Sequence, residues 1–266
     1  MKIDSVKLVY FSPTGTTKAV AQSIAHGINA IFTDIIDITR PEARRNKLNI
    51  SGNELLVIAV PVYMGRVPEL LSEWLHSIQA DNTPTVCVVV YGNRAYEDAL
   101  LELNTIVMQC GCIPIAGAAY IGEHSFSNAE TPVAQGRPDK KDLNHAEAFG
   151  QKVREKVQYI STTTAIPSIS VPGMYPYRKD SKLWTVDFIA VNELCAQCGL
   201  CAEICPVGAI DRQDSTKIDH EKCITCCACI KNCPQQARSM KESPVKDAAN
   251  RLNKLCAEPK EPEYFL

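Results

Sequence analysis

The 266-residue sequence contains no long apolar run; the longest, LLVIAVPVYM, stops at Gly65. A bilayer-crossing helix needs roughly 18 or more such residues, so no membrane span is expected. A charge excess is also missing. Lys and Arg total 28, Asp and Glu 30, and the formal net charge is −2. That balance makes no case for nucleic acid or an anionic membrane as a partner. The opening MKIDSVKLVYF lacks a separate apolar region or a small-residue cleavage site and reads as a strand. A cytoplasmic protein is expected. Lysine is absent from the glycine-bearing loop SPTGTT (12–17), so G-x-x-x-x-G-K-[ST] is not formed and a nucleoside triphosphate is disfavoured there.

Cysteine, by contrast, is abundant and clustered. Of 13 cysteines, nine lie between 195 and 233, and the rest stand at 87, 110, 112 and 256. In a reducing compartment, short fixed spacings point to metal ligands before disulfides. CAQCGLCAEICP and CITCCACIKNCP are two copies of C-x2-C-x2-C-x3-C-P, offset by 28 residues (223 − 195 = 28). Cys195, Cys198, Cys201 and Cys205 fall on Cys223, Cys226, Cys229 and Cys233, and Pro206 falls on Pro234. The surplus Cys227 falls on Gly199 and reads as a small filling residue, not a ligand. Four-cysteine zinc sites also use C-x2-C pairs, but they do not require a third and fourth cysteine, duplicated with proline. Iron–sulfur is the favoured reading, in an oxygen-poor setting such as an anaerobe. So short a segment buries little core, and cluster binding should supply much of its folding energy.

The first 160 residues alternate strand-like and helix-like stretches. KLVYF (7–11), IFTDIIDIT (31–39), ELLVIAVPVY (54–63), TVCVVVYGN (85–93) and IPIAGAAYIG (113–122) read as strands. Helices are expected from Thr16, from Pro68, over YEDALLELNTIVMQC (96–110) and over 144–160. Near-continuous Val/Ile/Leu runs separated by helices indicate a parallel sheet covered on both faces, in a doubly wound α/β fold. The Ser-, Thr- and Pro-rich 161–184 reads as a linker or crossing segment, 185–240 as the cysteine module, and 241–266 as a polar tail holding one short helix.

SPTGTT lies between the first strand and its helix, where backbone N–H groups and the helix dipole favour an anion. A neutral hydroxyl loop suits a phosphate monoester; the plainer reading is a helix N-cap supplied by Ser12 or Thr14. PVYMGRVP (61–68) and YGNRAYEDAL (91–100) each place an aromatic beside a glycine at the carboxyl end of a strand. On these residues, the stretch from 5 to about 155 of the first domain (1–160) resembles the flavodoxins, whose S-x-T-G-x-T phosphate loop is matched by Ser12, Thr14, Gly15 and Thr17, with Thr16 between them. The resemblance implies non-covalent FMN. Pro61, Val62, Tyr63, Met64 and Gly65 would then flank one side of the ring, and Tyr91, Gly92, Asn93 and Tyr96 the other. Arg66 and Arg94 stand where flavodoxins commonly have acidic residues.

The duplicated cysteine run resembles the bacterial two-[4Fe–4S] ferredoxins, in which the fourth cysteine of each run serves the other cluster. That resemblance implies one cluster on Cys195, Cys198, Cys201 and Cys233, and a second on Cys223, Cys226, Cys229 and Cys205. A flavodoxin–ferredoxin fusion would pass electrons between two clusters and FMN, with redox proteins as partners and no catalytic residues of its own. The competing reading is an FMN-dependent reductase of a quinone, flavin or similar acceptor, fed by the clusters or by NAD(P)H. A head-to-tail homodimer could bring one chain's clusters beside another's flavin. His124, in GEHSFSN, either approaches the flavin edge or is a plain loop histidine. Trp184 and the YPY segment (175–177) are expected between the domains, and Cys87, Cys110 and Cys112 in core or turn positions.

Overall fold

In the computed structural model, which describes residues 5–160, 169–178 and 184–266, the five apolar runs become one parallel sheet. The chain runs β1 (Ser5–Tyr10), α1 (Thr16–Ile28), β2 (Phe32–Asp37), β3 (Asn49–Ile50), β4 (Glu54–Pro61), α2 (Ser72–His76), β5 (Gln79–Ala80), β6 (Thr83–Tyr91), α3 (Ala99–Gln109), β7 (Cys112–Ile121) and α4 (Lys140–Tyr159). The parallel strands lie in the order β2-β1-β4-β6-β7. That is the flavodoxin-like order, with its switch point beside β1. Every residue of β6 is buried, which is why its sequence is continuously apolar and not alternating.

Helices cover both faces. Val20 and Ile24 of α1 and Phe149 and Val153 of α4 pack on Leu8, Val57 and Val88. Leu75 of α2 and Leu100 and Leu103 of α3 pack on Ile58, Cys87 and Val89. The helices α1 and α4 approach so closely that a Cβ on Gly150 would lie 2.1 Å from the Ile24 carbonyl oxygen. The helix expected from 144 begins at Lys140, because Asp139 and Asp142 form a capping box: each carboxylate accepts the other's backbone N–H, at 3.0 and 2.9 Å. After Pro68 the chain first makes a short 3-10 turn, Glu69–Leu71, and only then α2.

The cysteine module is built on an antiparallel pair, β8 (Ile189–Val191) and β9 (Arg238–Met240), with one-turn helices α5 (Leu200–Glu203) and α6 (Ala228–Lys231). Its repeat is visible in the backbone. Left-handed φ values recur 28 residues apart at Gln197 (50°) and Thr225 (53°), Gly199 (76°) and Cys227 (57°), and Gly208 (62°) and Gln236 (50°). Next comes α7 (Pro244–Leu255), started by the Ser243 hydroxyl accepting the Lys246 N–H and by Pro244 in the first turn. The chain then returns to the first domain as β10 (Glu263–Phe265), a sixth strand antiparallel to β7, pairing Glu263 with Ala119 and Phe265 with Gly117. The tail is therefore part of the first domain's sheet.

Residues 161–168 and 179–183 of the expected linker lie outside the described residues. The remainder crosses the first domain, where the Asp98 carboxylate accepts the N–H groups of Met174 (2.9 Å) and Arg178 (2.8 Å). Tyr177 lies 4.3 Å beneath the Arg66 guanidinium and Tyr175 is exposed, so YPY sits against the first domain and not between the two units. Among the described residues no helix is long and apolar enough to cross a membrane.

Candidate functional site

At the carboxyl ends of the parallel strands lies a cavity of about 390 Å³. Four loops of the first domain build it, and each was placed there by the strand it follows. Pro13, Thr14, Thr16 and Thr17 form one end. Gly15 is the N-cap of α1 at φ 89°, it supplies no side-chain cap, and no acid stands in the first turn, so the helix start is suited to an anion. Ser12 does not line the cavity. Its hydroxyl accepts the Lys18 N–H at 3.0 Å, a local bond of the kind expected of a capping residue.

Pro61, Val62, Tyr63, Met64 and Gly65 form a side wall. Tyr63 and Arg66 exchange both backbone hydrogen bonds at 3.0 Å around Met64 (φ 54°) and Gly65 (φ 82°). Two consecutive positive φ values define a type I′ turn, which strains methionine at the first position by about 1–2 kcal/mol. Tyr91, Gly92, Arg94 and Ala95 line the next stretch, and Gly122 to Phe126 another. Burial pushes the Tyr91 hydroxyl up to about 12, with Glu263 adding to it. Asn93 and Tyr96 point elsewhere. The Asn93 amide donates to the carbonyls of Cys256 (2.8 Å) and Glu258 (2.9 Å), and Tyr96 donates to Glu263 at 2.8 Å. Both residues fasten the tail instead of lining the cavity.

His124 does line it. Its Nδ1 accepts the Phe126 N–H at 3.1 Å, which leaves Nε2 as the protonated nitrogen of a neutral ring. Enclosure by the surrounding chain, then Lys231 and Arg94, lower its pKa to about 4. The ring lies over Gly92, where a Cβ would meet His124 Cδ2 at 2.2 Å.

The remaining wall comes from outside the first domain. Trp184, Ile224, Thr225, Cys226, Ala248, Arg251 and Leu252 close the cavity. The second cysteine run thus faces the loops of the first domain directly. Burial raises the Tyr63 hydroxyl far above its ordinary value, with Cys226 and Cys227 adding to it. Polar contacts fix this docking. Lys231, at the end of α6, donates to Glu123 (2.5 Å) and to the Ser127 carbonyl (3.0 Å). Arg44 donates to the carbonyls of Ile38 (2.7 Å), Thr39 (2.9 Å) and Pro206 (2.5 Å), and Arg40 pairs with Glu203 at 2.7 Å. Sequence reading missed Glu123, Thr225, Arg251 and Leu252. The amphipathic pattern of 244–255 signals that the last two belong to a packed helix, but not what it packs on.

Cys205, Cys223, Cys226, Cys227 and Cys229 line a second, smaller cavity with Ile189, Ala209 and Ile210. One comes from the first run and four from the second, Cys227 among them. Burial raises the thiols of Cys223 and Cys226, and that of Cys229 to about 12. Such thiols ionise only when a positive centre takes them as ligands. The Cys205 sulfur accepts the Ala209 N–H at 3.2 Å and the Cys233 sulfur accepts the Ala237 N–H at 3.3 Å, the same bond repeated 28 residues on. Among the described residues no three metal-ligating side chains are gathered as they would be around one ion; five cysteines line a space instead. Cys195, Cys198 and Cys233 keep surface exposure, Cys198 most of all, while Cys201 is buried beside Cys229. Cys227 is buried at the N-cap of α6, its thiol 3.6 Å from the Thr225 carbonyl oxygen. Cys87 and Cys112 are buried in the sheet, and the Cys110 thiol donates to the Leu75 carbonyl at 3.3 Å.

Residues 189–211 and 216–239 match the 4Fe-4S binding domain family. Pyruvate synthase subunit PorD of Methanocaldococcus jannaschii is 42% identical over 68 residues, 25% of this chain and 79% of that protein. Similar solved structures include a flavodoxin from the domain Archaea (16% identity, 58% of this chain and 99% of that one, TM-score 0.41). The Flv1 flavodiiron core from Synechocystis sp. PCC6803 is another (18% identity, 59% of this chain and 36% of that one, TM-score 0.42).

Proposed function

The chain is a flavodoxin–ferredoxin fusion whose cysteine module belongs to the 4Fe-4S binding family, and from that premise we propose that it relays electrons between two [4Fe–4S] clusters and a non-covalent FMN. The observation that carries the proposal is the shared cavity, in which the first domain's strand-end loops face Thr225 and Cys226 of the second cysteine run. When bound, the flavin exchanges one or two electrons and each cluster exchanges one. The chain's own contribution is to bind, place and insulate. Thr14, Thr16, Thr17 and the start of α1 would hold the phosphate, and Tyr63, Met64, Gly65, Tyr91 and Gly92 would flank the ring. Ser12 would order the phosphate loop from behind, with Gly15 leaving it open. Cys223, Cys226, Cys229 and Cys205 would hold the inner cluster, and Cys195, Cys198, Cys201 and Cys233 the outer one.

The exposure of Cys198 supports an order in which a partner would meet the outer set first and the inner set would lie between it and the flavin site. The second run of the same chain lines the cavity, so no second copy is needed to bring a cluster beside it. The cavity is at the lower end of the roughly 300–1,000 Å³ range of small-ligand sites, and Trp184, Arg251 and Leu252 close it. A reductase would need further room in this cavity for an acceptor beside the flavin, and walls at Trp184, Arg251 and Leu252 support the carrier reading. A redox enzyme of the class named in the pyruvate synthase relative is a fitting partner.

The test is anaerobic rapid mixing of the loaded protein with a reduced one-electron donor. Cluster bleaching should come first, then flavin bleaching at a rate independent of protein concentration. Direct bleaching by NADH or NADPH with turnover on a quinone would make the protein a reductase. A spectrum lacking flavin bands would overturn both readings.

A further inference from the structure

The two cysteine repeats match at every cysteine of the motif and at its proline, and one of the positions where they differ is a buried charge. Ile210, five residues after Cys205, lines the small cavity of the inner ligand set. Its equivalent, five residues after Cys233, is Arg238 (210 + 28 = 238), only 4% exposed. A guanidinium stays protonated in any protein setting, and burying it without a negative partner costs several kcal/mol.

Arg238 shows no such partner among the described residues. Its Nη2 donates to the Ser215 carbonyl, which is neutral, and its Nη1 finds no hydrogen-bond partner among them. Among the described residues no carboxylate pairs with it. Two observations place it at the clusters. The Ser215 N–H donates to Gln197 Oε1 at 2.8 Å, which ties the same loop to the first cysteine run. The neighbour of Arg238, Ala237, donates its N–H to the Cys233 sulfur at 3.3 Å, which sets Arg238 next to the last ligand of the outer set. By the repeat, the wall that Ile210 gives the inner set is the wall that Arg238 gives the outer set.

We propose that Arg238 is a built-in counter-charge for the clusters, acting most strongly on the one held by Cys195, Cys198, Cys201 and Cys233. The inference rests on the two-cluster reading above. Four thiolates around a cluster carry net negative charge, which grows by one on reduction, and a buried cation at the wall favours the reduced form. The outer cluster would then be easier to reduce than an isoleucine at position 238 would make it, and would receive electrons from a partner more readily.

Two variants of the full, loaded chain separate charge from structure. Arg238→Gln keeps a donor for the Ser215 carbonyl and removes the charge; Arg238→Lys keeps the charge and loses the fork. In a potentiometric titration followed by paramagnetic resonance, Arg238→Gln should make one cluster about tenfold harder to reduce, about 59 mV for one electron. The flavin should not move, and Arg238→Lys should stay near the parent. Failure of Arg238→Gln to load clusters, with Arg238→Lys loading, would also support the charge. Equal potentials in both variants, or equal loss of clusters in both, would overturn it and leave Arg238 a structural residue. If the parent chain shows no iron–sulfur signals, the two-cluster reading itself fails.

Discussion

The two cysteine runs share a spacing, a backbone and a terminal proline, but not their surroundings. In the first run Gln197 and Cys198 are open to solvent; in the second, their equivalents Thr225 and Cys226 are buried against the first domain. Ligand spacing therefore specifies what each run can bind, and the neighbouring domain specifies which becomes the inner one. The helix ends make the choice. Glu203 closes α5 and its equivalent Lys231 closes α6 (203 + 28 = 231), and each pairs with the first domain: Glu203 with Arg40, Lys231 with Glu123. A module turned about its own pseudo-two-fold would set glutamate against Glu123 and lysine against Arg40. Like charges at both contacts disfavour the reversed docking.

The largest effects should come from the ligands. Cys226→Ser and Cys205→Ser should each remove half the iron and stop flavin bleaching by a one-electron donor, although Cys205 lies in the other run. If Cys205→Ser instead spares the cluster lost in Cys226→Ser, each run binds its own cluster and the crossover is wrong. Next is the docking. Arg44→Ala leaves the Pro206 carbonyl without its donor and should cost about 2–3 kcal/mol in anaerobic chemical denaturation. Exchanging the keys, with Glu203→Lys and Lys231→Glu together, should slow the cluster-to-flavin step, and adding Arg40→Glu and Glu123→Lys should restore it.

A smaller effect follows from His124, whose pKa is held near 4 by enclosure and by Lys231 and Arg94. The unfolded chain binds the proton first, near pH 6.5, so folded stability is complete above 6.5 and declines as pH falls toward 4. His124→Gln should flatten that decline; an unchanged slope would mean the ring is not enclosed as described. The smallest effect concerns the paired left-handed positions. Gly199→Ala should cost about 1 kcal/mol through φ alone, since no atom lies within 4 Å of the added Cβ. Cys227→Gly removes a similar strain but loses a buried side chain, so it should be close to neutral.

The sheet was legible because its central strands β4 and β6 are buried on both faces and their apolar runs are continuous. The 4Fe-4S character of both cysteine runs was legible because cluster ligation demands a spacing. What stayed hidden depends on contacts between distant segments. A polar stretch such as EPEYFL gives no strand signal, yet Glu263–Phe265 extends the sheet because β7 offers an open edge. Asn93 and Tyr96 stand in a strand-end loop beside the cavity by position, and only the path of the tail shows that they hold it. Nor could two nearly identical runs reveal which one faces the cavity, since that is decided by single pairs such as Lys231 and Glu123, 108 residues apart.

The return of β10 to the first sheet has a mechanical consequence. Two domains joined by one crossing behave as beads on a string, each free to melt or drift alone. Here the ferredoxin part leaves the flavodoxin sheet after α4 and rejoins it at β10, so it is stapled at both ends like an inserted loop. Such a module cannot swing away without stripping an edge strand. The molecule should melt in one cooperative step, and the spacing between its redox centres should be a fixed dimension of the fold.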